Sequence, residues 1–227
     1  NRSGTCTPGS ICVAIIDRSG VMKPGSRGFL TLTKTLLWPL CLAPAGIMLM
    51  GAFQMGGFQL GANPVEELLH RCGDWGLRFL LITLAVTPMR HLTGWNVLLR
   101  YRRLLGLFAF FYVLMHFVIY VWLDRQLDLG GIVEDIVERP YITIGMAALV
   151  MLVPLALTST RGMMRRLGRR WQKLHWLIYP IAILGVWHFW WQVKADLLEP
   201  LVYALILAVL LGARLWRKVR SRRHAPT

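Results

Sequence analysis

Long apolar stretches separated by short, highly charged connections set the pattern of this chain. Six stretches reach or approach the roughly 20 apolar residues needed to cross a bilayer as helix. They lie at residues 32–53, 75–89, 104–123, 141–158, 174–193 and 197–216. Pro39, Pro44, Pro154 and Pro180 fall inside them and are expected to kink the helices rather than end them, because a surrounding bundle can satisfy the freed carbonyls. No internal repeat or low-complexity segment is evident. The expected fold is all-α, an integral membrane six-helix bundle forming one domain over residues 22–217, with a basic tail over 218–227. Residues 1–21 are polar apart from the short run Ile11–Ile16, too brief for a span or a signal-peptide core. Because the first methionine is Met22, they are read as a non-native or flexible extension.

The charges between the stretches give an orientation. Lys23 and Arg27 precede the first stretch, and Arg90, Arg100, Arg102 and Arg103 lie in the second connection. Arg161, Arg165, Arg166, Arg169, Arg170 and Lys173 fill the fourth, and Arg214, Arg217, Lys218, Arg220, Arg222 and Arg223 end the chain. The other three connections carry Glu66, Glu67, Asp74, Asp124, Asp128, Glu134, Asp135, Glu138, Asp196 and Glu199. Short basic connections stay cytoplasmic, so both termini are expected in the cytoplasm of a bacterial inner (plasma) membrane. Composition agrees: 56% of residues are hydrophobic, 16% are charged and the mean hydropathy is +0.50. The net charge of +15 does not indicate nucleic acid, since these cations lie between apolar spans, facing anionic lipid, and not on a soluble basic surface.

Candidate chemistry rests on histidine. Cys6, Cys12, Cys41 and Cys72 form no CxxC or CxxCH pattern, which excludes covalent c-type haem attachment and a thiol-rich zinc site. His116 and His188 each sit in an apolar stretch, where a polar ring is costly without a partner. Measured from the cytoplasmic ends near Leu104 and Leu174, they stand about 18 and 21 Å up their helices. Two imidazoles at one level on neighbouring helices can take both faces of a haem. His175 lies about 20 Å lower on the helix of His188. It is read either as a ligand at that lower level or as an interfacial histidine or propionate partner. His70, His91 and His224 flank spans or lie in the tail and are read as ordinary polar residues.

The runs RRLLGLFAFFYVLMH (Arg102–His116), LTST (Leu157–Thr160), LGRRWQKLHWLIYPIAILGVWH (Leu167–His188) and GANPVEELLHRCG (Gly61–Gly73) resemble the ferric-reductase-like transmembrane family. Within it the chain is most similar to the haem-binding membrane subunits of periplasmic protein-methionine-sulfoxide reductase systems. The resemblance implies b-type haem on His116, His188 or His175, an FMN, electrons from the quinol pool, and a periplasmic molybdenum-containing catalytic subunit as partner in a heterodimer. Two-haem members of the wider family carry two histidines on each of two helices, whereas the 104–123 stretch has only His116. The short tail after Trp216 offers no nucleotide-binding domain, so NAD(P)H oxidation is not expected of this chain alone. Two other classes compete with an electron-transfer subunit: a stand-alone transmembrane ferric or cupric reductase, and a non-redox anchor or transporter. The acids of loops 54–74, 124–140 and 194–199, Glu134, Asp135 and Glu138 among them, are expected to face the periplasmic partner.

Overall fold

The computed structural model describes residues 27–55, 57, 60–193 and 197–223. The expected 1–21 extension, Lys23, Lys194, Asp196 and the end of the tail with His224 lie outside the described residues. Among these residues every regular element is helical. In chain order the α-helices are α1 (Arg27–Ala52), α2 (Pro64–Thr93), α3 (Leu99–Ile119), α4 (Leu129–Glu138), α5 (Pro140–Leu157), α6 (Arg161–Leu167), α7 (Arg169–Leu174), α8 (Ile178–Gln192) and α9 (Leu198–Arg223). The stretches Leu30–Ala52, Asn96–Asp124, Pro140–Leu157 and Leu198–Arg220 are long and apolar enough to cross a membrane. Their outer faces carry exposed residues such as Leu36, Leu40, Val150, Leu205 and Val209. A bundle clothed in leucine and valine is stable when its solvent is lipid, and the protein is a membrane protein.

Two compact units divide the chain, residues 1–42 and 43–227. The described part of the first is the leading portion of α1. In the second, α2 packs along α3, α5 along α8, and α9 against α8 and α2. The α2–α3 contact is close because α2 turns glycine toward its neighbour: a Cβ on Gly76 would stand 2.7 Å from Val113 Cγ2. Small residues at such seams let helices approach without a hydrophobic drive from water. Phe79 stacks on Tyr112 at 5.3 Å between ring centroids, and Phe108 closes the cluster from below at 5.9 Å from Phe79. The Tyr112 hydroxyl accepts the Ala45 amide at 3.1 Å, tying the end of α1 to this core.

Local chemistry explains the helix ends. Asn63 caps α2 by accepting the Glu66 amide, Pro64 occupies the first helical position, and Glu66 and Glu67 lie in the first turn. The Gly61 amide and Arg71 both donate to the Glu67 carboxylate, holding that acid below the usual carboxylate range. Gly94 ends the helix with φ of 74°, its amide on the Arg90 carbonyl. Pro88, inside α2, cannot donate to the Leu84 carbonyl, and Arg214 from α9 donates to that oxygen instead.

The stretch expected as one helix over 174–193 is divided. Its lower part is a 3₁₀ turn at His175–Leu177 following α7, and the α-helix begins only at Ile178. Pro180, with no amide proton, supplies the reason, since it leaves the preceding turn to tighten into i→i+3 bonding.

The connection 124–140 contains a helix, α4, that the apolar pattern did not announce. After α3 the backbone widens into a π turn at Tyr120–Asp124, then reverses through Gln126 and Leu127, both at positive φ. What holds this strained reversal is Asp135. Its carboxylate accepts the Tyr120 hydroxyl at 2.7 Å and pairs with Arg125 and with Arg139, the latter at 3.2 Å. Asp135 is buried, so the expectation that it faces a partner together with Glu134 and Glu138 is corrected: it belongs to the internal clasp. Replacing Asp135 with Asn strands two guanidiniums at once. We expect the thermal midpoint of the solubilised protein to fall by roughly 5 °C, with Glu134→Gln as the unaffected comparison.

Candidate functional site

His116 near the end of α3 and His188 near the end of α8 face one another with ring centroids 6.1 Å apart and planes 84° from parallel. Each ring is tied back to a neighbouring helix by the same device. Nδ1 of His116 donates to the Leu69 carbonyl of α2 at 2.8 Å, and Nδ1 of His188 donates to the Tyr141 carbonyl of α5 at 2.7 Å. With Nδ1 protonated, Nε2 of each neutral ring keeps its lone pair, which is the form that binds a metal.

Helical carbonyls already accept one backbone amide, so a second donor needs access to the oxygen. Side chains in a helix lean toward its N-terminus, and the residue one turn on normally covers the carbonyl behind it. In both places that residue is glycine. A Cβ on Gly73 would stand 3.1 Å from His116 Nδ1, and one on Gly145 would stand 2.9 Å from His188 Nδ1. The acceptor precedes its histidine by 47 residues in both halves of the site. One common interval separates Leu69 from Tyr141, Gly73 from Gly145 and His116 from His188. What recurs is the spacing of acceptor, glycine and histidine, while the segments themselves, LHRCG and YITIG, share only the glycine.

The donor set decides what fits. A metal–imidazole bond of about 2 Å on each side, plus about 1 Å from each nitrogen to its ring centre, gives a centroid separation of roughly 6 Å. The observed spacing matches. Among the described residues no three His, Cys, Asp or Glu side chains converge on a metal position. Two facing imidazoles suit an iron whose remaining ligands come from a tetrapyrrole better than they suit a bare ion.

His175 is not part of this pair. Its ring stacks on Trp171 at 3.8 Å, and its Nδ1 bonds the Trp171 carbonyl of its own helix at 3.0 Å. His70 lies 2.8 Å from the Gln192 amide nitrogen, and His91 is in the last turn of α2. The two histidines that the sequence puts at one level do lie beside each other. The residues that hold the rings, Leu69, Gly73, Tyr141 and Gly145, were not read from the sequence, and the recurrent interval was the available signal.

These features define the membrane core of a ferric-reductase-like protein, and the chain belongs to that family: the model described as "Ferric reductase like transmembrane component" matches residues 72–186. The match includes Gly73, His116, Gly145 and His175 and ends just short of His188. More narrowly, the chain is similar to proteins named "Protein-methionine-sulfoxide reductase heme-binding subunit MsrQ". The one from Xanthomonas oryzae pv. oryzae (strain MAFF 311018) is 55% identical over 195 residues, 84% of this chain and 88% of the relative. The one from Rhodospirillum rubrum is 59% identical over 164 residues, 72% of this chain and 79% of the relative. No solved structure gives a significant match.

Gly145→Ala tests the clasp directly. The added methyl overlaps His188 and should cost about 1–3 kcal/mol in unfolding free energy, as overpacking does. At Gly185 a Cβ would make ordinary contacts of 3.6 and 3.9 Å, so Gly185→Ala should leave the thermal midpoint nearly unchanged.

Proposed function

We propose that this chain is the membrane electron-transfer subunit of a periplasmic methionine-sulfoxide-reducing system and that it holds b-type haem between His116 and His188. The observation that carries this reading is the close pair of imidazoles, each with its Nδ1 proton held by a carbonyl, which leaves the lone pair on Nε2. A haem bound there supplies a one-electron couple inside the membrane. The chain's own residues orient it. The Leu69 and Tyr141 carbonyls fix each tautomer and raise the basicity of Nε2, and Gly73 and Gly145 allow the rings to seat against their helices. The names of the MsrQ relatives support the haem and the catalytic partner.

In this reading the protein crosses the bacterial inner membrane six times, with α2 and the α7–α8 segment adding two spans to the four long apolar helices. Both termini are cytoplasmic. Support comes from charge: α2 opens on Glu66 and Glu67 and closes on Arg90, while α9 opens on Glu199 and closes on its basic run. The paired histidines then lie toward the periplasm. Electrons from the quinol pool, with FMN as a carrier on the way, pass to a molybdenum-containing periplasmic subunit. Glu134 and Glu138 lie on the side where that partner docks, and unlike charge on it would speed encounter.

His116→Ala and His188→Ala should each abolish the reducible b-type Soret band of the purified protein while membrane insertion persists. Gly73→Ala and Gly145→Ala should shift the midpoint potential or lower occupancy, and His175→Ala should retain the band. Full occupancy in either histidine variant of the facing pair overturns the assignment. Reduction of chelated ferric iron without any periplasmic partner would instead make the chain a stand-alone reductase.

A further inference from the structure

Each histidine of the pair leans on a helix of its own half: His116 of α3 on α2, and His188 of α8 on α5. Those two helix pairs are closely packed, whereas α3 touches α5 and α2 touches α8 much less. The acceptor carbonyls therefore fix each ring within its half and leave the gap between the halves to other contacts.

Two side-chain contacts cross that gap at the acidic end of the larger unit. Tyr120, four residues after His116, donates its hydroxyl to Asp135 at 2.7 Å, and Asp135 pairs in turn with Arg139, the residue that leads into α5. Tyr141, whose carbonyl holds His188, follows two residues later. In the other half Gln192, four residues after His188, donates its amide nitrogen to Nε2 of His70 on α2 at 2.8 Å. His70 adjoins Leu69, whose carbonyl holds His116. The interval that links His116 to His188 also links Tyr120 to Gln192.

The crossing is reciprocal: each contact starts one turn beyond one imidazole and ends close in sequence to the carbonyl that seats the other. A set of metal donors has to be held to within about 0.5 Å and roughly 10–20°, and hydrogen bonds of 2.7 and 2.8 Å leave little slack. The Tyr120 bond goes to a buried carboxylate and is charge-assisted. The Gln192 bond, with His70 exposed, is the weaker of the two.

We propose that Tyr120 and Gln192 are positioning residues that act through these two crossings to set the spacing and mutual angle of the His116 and His188 rings, beyond any share they have in stability. This deepens the haem reading above and rests on it, so one arm of the test does not depend on what the seat holds.

The variants are made in the full chain in nanodiscs. Tyr120→Phe keeps the ring and loses the donor, His70→Leu removes the acceptor, and His70→Gln offers an amide oxygen in place of Nε2. Arg71→Gln breaks an ion pair that stays within α2 and is the control. In the first arm nitroxide labels are carried on Leu114→Cys and Ile183→Cys, both at exposed positions, with Cys6→Ser and Cys12→Ser to remove other labelling sites. Pulsed dipolar EPR then reads the distance between α3 and α8. In the second arm the ferric g-values of the haem-loaded protein are recorded, which follow the angle between two axial imidazole planes, 84° apart here. Tyr120→Phe and His70→Leu should each displace or broaden the label distance and move the g-values, Tyr120→Phe more so, and the double variant should exceed either. His70→Gln and Arg71→Gln should match the wild type in both arms. Variants that melt earlier yet keep the wild-type distance and g-values overturn the proposal, and so does His70→Gln behaving like His70→Leu. A wild type that binds no haem defeats the haem reading by itself, and the label distances then decide this one.

Discussion

An imidazole in hydrocarbon has two nitrogens to satisfy and no water to do it with. The second unit of this protein is arranged around that constraint. Each ring donates its Nδ1 proton to a helix carbonyl that already carries a backbone hydrogen bond, and reaches it only because the residue one turn further on has no side chain. The two most extensive helix contacts, α2 with α3 and α5 with α8, are the two that bring a carbonyl and a glycine under a histidine. Packing and chemistry thus impose the same close approach.

Proline and arginine show the same economy at the other end. Pro88 leaves the Leu84 oxygen unbonded in a helix that has lipid outside and protein inside, and Arg214 reaches across from α9 to satisfy it. That long side chain, which also donates to the Tyr179 hydroxyl of α8, ties α9 to two neighbouring helices. On the acidic side Asp135 answers two arginines and a tyrosine. One end of the bundle is closed by its own counter-ions, whereas the other has an excess of cations.

Much of this was legible in the chain. The apolar stretches marked where helix forms, because segments of that length and composition have few other stable forms in a bilayer. Counting residues from the charged ends placed His116 and His188 at one level, since helical rise is nearly constant. The start of α8 was less legible, because Pro180 acts on hydrogen bonds in the turn before it. Helix α4 lay hidden in a charged loop, and nothing in its acids distinguished the buried Asp135 from the exposed Glu134. Leu69 and Tyr141 were invisible as site residues because they act through backbone oxygen, which every residue possesses. Gly73 and Gly145 give the position away only when both are laid against the interval between the histidines.

That shared interval has a geometric meaning. A two-helix unit, one helix with a carbonyl and glycine and the next with a histidine, forms half of a symmetric seat, and two copies of such a unit meeting about an axis would complete it. The same interval that links His116 to His188 links Arg103 to His175, so one copy carries a guanidinium where the other carries an imidazole. The likeness of the two halves holds at the paired rings and does not extend to the basic end.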